Sequence, residues 1–251
     1  MEALKLIIEE EPEYAAIIIC SFNDDNKKIE MLDKIKSESD KAYIIESIKE
    51  DKKKIECLKY ISQEEWKVKI ITTLQDDLNK IQQLEKIESE KARFKIIRTI
   101  INDENLIKAI SYLEKEEYKT RIIIRLEKDE EKIRLLEGVE KEENIVTIIE
   151  SLQSDDKKIE QLKNISNEEN KIEIIRTLQS DDKKINFLKN IENQEYKAKI
   201  IEGIVNIDKK IEAMGYLESK ELKLAIIDKI YDKKSRIKAL RNNRQKIRKN
   251  I

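Results

Sequence analysis

The stretch LQSDDKKIEQLKNI occupies residues 152–165, and LQSDDKKINFLKNI occupies residues 178–191. The offset is 26 residues, and nearly the whole chain obeys it. In a frame that begins at Asn23, the seventh slot reads Ile29, Ile55, Ile81, Ile107, Ile133, Ile159, Ile185, Ile211 and Ile237. The tenth runs Leu32, Leu58, Leu84, Ile110, Leu136, Leu162, Leu188, Met214 and Leu240, and the thirteenth is Ile, Leu or Val from Ile35 to Leu217. Steps of three residues place these side chains on one helical stripe. A second stripe is built on the pair Ile44 and Ile45, which recurs in every frame as far as Ile226 and Ile227. No insertion or deletion breaks the register between residues 23 and 230, so that span holds eight complete repeats.

Each repeat reads as two short helices, A and B. Helix A is expected to start at an aspartate that caps its own first turn, as at Asp25, Asp51, Asp77, Asp103, Asp129, Asp155 and Asp181. Ser or Asn precedes helix B (Ser37, Ser89, Asn167, Asn193, Ser219), and acids follow where the helix dipole favours them, as at Glu64 and Glu65. A two-helix unit of this size cannot bury its apolar stripe alone, but stacked copies bury a continuous core. The predicted fold is therefore all-α, a right-handed α-solenoid (superhelix) of about eight 26-residue helix-turn-helix repeats with terminal half-repeat caps. Its parts are an N-terminal capping half-repeat at 1–22, the repeats at 23–230, and a basic C-terminal capping helix at 231–251.

In general form the repeat resembles HEAT-like and other two-helix solenoid units. Its period is shorter than those of HEAT, TPR and ankyrin repeats, and it carries no TPR or ankyrin signature. The resemblance is one of architecture and brings no functional residues with it. It implies that helix B lines the concave face.

Composition narrows the function classes. Charged residues make up 42% of the chain and aromatics 5%, with three Gly and one Pro, which disfavours all-β and loop-rich folds. The net charge of −1 does not mark the whole chain as a nucleic-acid binder. There is no histidine, so histidine triads, bases and metal ligands are excluded. No phosphate-binding glycine loop is present, and the paired acids that begin helix A are read as caps, so no catalytic residue, metal or cofactor is assigned and no small-molecule substrate is implied. Cys20 and Cys57 are read as small core or boundary residues. With no signal peptide or membrane-length apolar run, the expected setting is soluble and cytoplasmic.

What remains is surface. Slots twenty-one, twenty-four and twenty-five of helix B carry Lys69, Lys95, Arg98, Arg121 and Arg125 in repeats two to four, with Trp66 and Tyr118 beside them. This is read as a partner-binding stripe for a protein or peptide, an acidic one included, with Trp66 as an exposed anchor; an ordinary solvated face fits the same pattern. The segment 231–251 carries nine basic residues (Lys233, Lys234, Arg236, Lys238, Arg241, Arg244, Lys246, Arg248 and Lys249) against Asp232 alone. It reads as a solvated cap, a nucleic-acid contact or a contact with an acidic membrane surface. Three functions follow: a non-enzymatic scaffold that binds a protein or peptide along helix B, a repeat protein for single-stranded nucleic acid or RNA, and an engineered or purely structural array.

Overall fold

The computed structural model describes residues 12–249, with side chains from 14 to 241. Among these residues it contains eighteen α-helices, five 3₁₀ turns and no strand. The chain forms two compact halves, Met1–Glu127 and Lys128–Ile251. The first contains repeats one to four and the second repeats five to eight. In repeat two, helix A runs Asp51–Cys57 and tightens into the 3₁₀ turn Leu58–Tyr60, and helix B runs Glu64–Thr72. Repeat seven shows the same plan in Asp181–Leu188 and Gln194–Glu202. The described part of the N-terminal half-repeat is a helix at Pro12–Cys20, and the C-terminal helix spans Lys233–Lys249.

Apart from that last helix, every α-helix has seven to nine residues, too short to persist alone. Packing supplies the stability. The paired isoleucines of every helix B are buried, from Ile44 and Ile45 to Ile226 and Ile227, as are Ile48, Leu74, Ile100, Leu126, Leu152, Leu178, Ile204 and Ile230 at its end. Within the first half, Glu38–Glu46 packs on Glu64–Thr72, which packs on Glu90–Ile97. The turns need no left-handed residue, since no φ is positive among the described residues, and so the chain manages with few glycines.

Two expectations are corrected. The aspartates at the start of helix A do not cap their own helix. The cap is the preceding residue: the side chains of Asp24, Asp76, Asn102, Ser154, Ser180 and Asn206 accept from the first turn. The aspartate lies one residue inside and reaches the turn of the next repeat. Asp51 accepts from the Gln75 and Asp76 amides at 2.9 Å, Asp77 from Ile101 and Asn102 at 3.0 and 3.1 Å, and Asp181 from Val205 and Asn206 at 3.0 and 2.8 Å. The first residue of helix B does the same at the other turn: Glu38 accepts from the Ser62 and Gln63 amides, and Glu142 from Ser166 and Asn167. In repeats one, two, three and five, two acids thus fasten the next repeat through its main chain, and in repeat seven Gln194 takes the place of the second.

The A stripe is also rotated relative to the expected one. The unbroken isoleucine slot is only half-buried from Ile29 to Ile185, and Leu162, expected in the core, is half-buried too. One residue earlier, a lysine points inward: Lys28, Lys54, Lys80, Lys132, Lys158 and Lys184 are 2–5% exposed. Each ammonium binds the carbonyl that ends helix B of its own repeat, as in Lys28 to Ser47 (2.7 Å), Lys80 to Thr99 (2.9 Å) and Lys132 to Ser151 (2.8 Å). A helix C-terminus has unsatisfied carbonyls and partial negative charge, so a buried cation is matched there. Repeat four breaks the rule with Leu106 in the lysine slot. There Arg125 replaces the usual small residue at the helix B terminus and sends Nη2 to the Ile100 carbonyl of the preceding repeat, at 3.0 Å.

Candidate partner-binding face

Slot twenty-one forms a row across neighbouring B helices. In the second half this is direct, because Lys199 Nζ lies 3.6 Å from Glu173 Oε1 in the same slot one repeat earlier. In the first half the row is Tyr43, Lys69, Lys95 and Arg121, all exposed. The helices under it are joined by packing and by the Phe94–Tyr118 stack, whose ring centroids are 4.5 Å apart.

The five cations differ in what holds them. Lys69 sits 3.1 Å from Glu46 Oε1, but off the line needed for a hydrogen bond, and 5.5 Å over the Trp66 ring. Arg121 pairs with Glu117 on its own helix at 2.8 Å, both side chains more than half exposed, a contact worth about 0.3–0.5 kcal/mol. The Arg98 guanidinium lies 5.8 Å from the Phe94 ring. Arg125 spends a donor on the Ile100 carbonyl, so part of its role is structural. Lys95 has no ion-pair or ring partner among the described residues. Acids of the helix B first turns, such as Glu64 and Glu65, line a shallow hollow with Lys91 and Lys95. They bound the cationic strip on one side.

The aromatic residues are placed differently from expectation. Trp66 is half-buried and packs against the core of the first half, so it supports Lys69 and is not an exposed anchor. Tyr118 is half-buried under its stack with Phe94. Phe94 was missed as a contributor. Its signal was present, since the same slot elsewhere holds only Ala, Val, Thr, Ile or Leu.

The same face of the second half neutralises itself. Lys199 lies between Glu169 (2.6 Å) and Glu173 (3.6 Å), Arg176 meets Glu173 at 3.2 Å, and Lys229 meets Glu202 at 2.7 Å. Glu150 is partly buried, and burial, then the nearby Glu173 charge, push its carboxyl above the usual range. Across the three surface slots the first half presents five cations against Glu46, whereas the second presents Arg176, Lys199 and Lys229 against Glu150, Glu173, Glu202 and Asp228.

The basic tail begins as a structural element. Arg236 donates to the carbonyls of Ile230 (2.8 Å) and Asp228 (3.1 Å), closing the helix Lys220–Asp228, and Lys238 pairs with Asp208 at 2.8 Å. Lys233, Lys234 and Arg241 are exposed. Arg244, Lys246, Arg248 and Lys249 lie outside the residues whose side chains are described.

Cys57 is buried, and burial pushes its thiol up to about 11. No cluster of three potential metal ligands occurs among the described residues, and none of their helices is long and apolar enough to cross a membrane. No protein-family model matches the sequence, and no curated protein matches it.

Proposed function

We propose that the chain is a non-enzymatic scaffold that binds a protein or peptide partner along the B-helix face of its first half, and that the partner's contacting segment is acidic. The helical-repeat architecture is consistent with an interaction module. The observation that carries the reading is the row Lys69, Lys95, Arg121, in which successive repeats present like charge and the central ammonium is unpaired among the described residues. The absence of an enzymatic role is supported by how the acids are used. Asp76 caps a helix and Asp77 fastens the next repeat, which leaves neither free for acid–base work.

The test is capture from lysate, with and without nuclease treatment, by the natural chain and by a variant carrying Lys95→Glu, Arg98→Glu and Arg121→Glu, with bound protein and nucleic acid both measured. Arg125 is left intact because of its bond to Ile100. A protein partner retained by the natural chain and lost by a variant with an unchanged melting curve supports the proposal; a partner kept by the variant removes the site. Nucleic acid that is released as salt rises and depends on Lys233, Lys234 and Arg241 would transfer function to the tail.

A further inference from the structure

The cationic row has a pitch, and pitch selects ligands. Lys69, Lys95 and Arg121 occupy one slot of three successive repeats whose B helices adjoin. Their heads therefore recur at about 10 Å, the separation of packed helices. Held at that step, three like charges repel one another, and their surroundings relieve them little. Glu46 meets Lys69 off axis, Glu117 is an exposed partner of Arg121, and Lys95 has none among the described residues. In the second half Glu173 interrupts the equivalent row and closes it on Lys199.

A polyproline II segment has three residues per turn and a rise of about 3.1 Å, so every third side chain returns to the same face at steps of about 9 Å. We infer that the occupant of this face is an extended segment of a partner protein in the polyproline II conformation, with a carboxylate at every third residue, three of which meet Lys69, Lys95 and Arg121 in turn. The inference rests on the acidic-partner reading above. A helix with an acid at every seventh residue has nearly the same pitch, about 10.5 Å. An amphipathic helix, however, needs an apolar groove. In the three surface slots of the first half only Tyr43 and Ile124 are large and apolar.

The experiment is fluorescence anisotropy on the full chain at low salt with three labelled peptides. Two are decapeptides of four Glu and six Ser, one with Glu at every third position and one with the four contiguous. The third is an Ala-rich helix with Glu at every seventh position. The spaced decapeptide is expected to bind about fivefold more tightly than the contiguous one, which spans fewer of the three cations. Lys95→Ser should erase that preference. Equal affinity of the two decapeptides overturns the spacing and leaves the acidic-partner reading standing. Preference for the helical peptide overturns the extended form. Failure of all three peptides to bind overturns the acidic-partner reading itself.

Discussion

The first half holds its repeats together with the same devices as the second but wears a different surface. Asp77 in repeat three and Asp181 in repeat seven both grip the two amides that open the following repeat, and Lys80 and Lys184 both reach the end of their own helix B at 2.9 and 2.5 Å. Over these shared fasteners the first half sets Lys69, Lys95 and Arg121 in a row, whereas the second sets Thr147, Glu173, Lys199 and Ala225. Slot twenty-one varies because neither the carboxylate fasteners nor the buried lysines pass through it. A repeat array thereby separates the residues that build it from those available for recognition.

The comparison should fail first, if it fails, in the core. Leu84→Ala and Leu188→Ala remove fully buried side chains from equivalent slots. Each should cost about 2–5 kcal/mol, similar in both halves, by urea denaturation. A large inequality would mean that the halves are not built alike.

The fasteners come next. Asp77→Ala and Asp181→Ala should each cost about 1–3 kcal/mol, because two amides lose their acceptor. These groups also set an acid limit. Burial pushes the Asp77 carboxyl up, but the amides of Asn102 and Ile101 outweigh it and hold the group below its ordinary value of 3.8. Asp51 and Asp181 are lowered in the same way, and hydrogen bonds from Ser166 and Asn170 bring Glu142 to about 2. Since the folded values lie below the unfolded ones, this stability is complete above the unfolded values and is lost as pH falls through the folded ones. Denaturation midpoints measured from pH 5 downward should fall, and Asp77→Asn should make the fall shallower.

Repeat four offers a sharper test. Leu106→Lys alone should cost about 1–3 kcal/mol, because it buries a cation beside a helix terminus that carries Arg125 in place of a small residue. Adding Arg125→Thr recreates the pairing of Lys54 with Thr73 and should recover much of that loss, which a double-mutant cycle would read directly.

The smallest effect on stability should come from the surface. Glu173→Lys in the second half should change folding by less than about 0.5 kcal/mol, yet extend like charge to Lys199 and raise affinity for acidic peptides. If it leaves affinity unchanged, two adjacent cations in this slot are not enough for recognition.

The repeat length, the helix pairs and the B-helix core were legible in the sequence because isoleucine and leucine recur without a break. The A-helix interior was misread for a physical reason. A pattern reading sends lysine outward, but here a long apolar stem carries the ammonium across the core to a helix terminus, and the half-buried Ile55 or Ile81 covers the rim beside it. A lysine in seven of eight repeats was the available signal. The aspartates were misread because a self-cap and a bond to the next repeat begin from the same residue type at nearly the same position. At the candidate site the charges were legible, whereas the pairing of Lys69 with Glu46 and the burial of Trp66 depend on which residues come together one repeat apart.

The fasteners have a consequence for how such an array can change in length. Asp51 binds the amides of Gln75 and Asp76, not their side chains, so the next frame needs no particular residue there beyond one with an N–H. Any frame can follow one that carries these carboxylates. Copying a 26-residue segment brings a complete joint with it, and the near-duplicate frames around residues 152 and 178 are what an array that grows by whole copies would contain. Insertions of other lengths would leave a carboxylate facing the wrong turn, which accounts for eight frames kept in step without a single inserted residue.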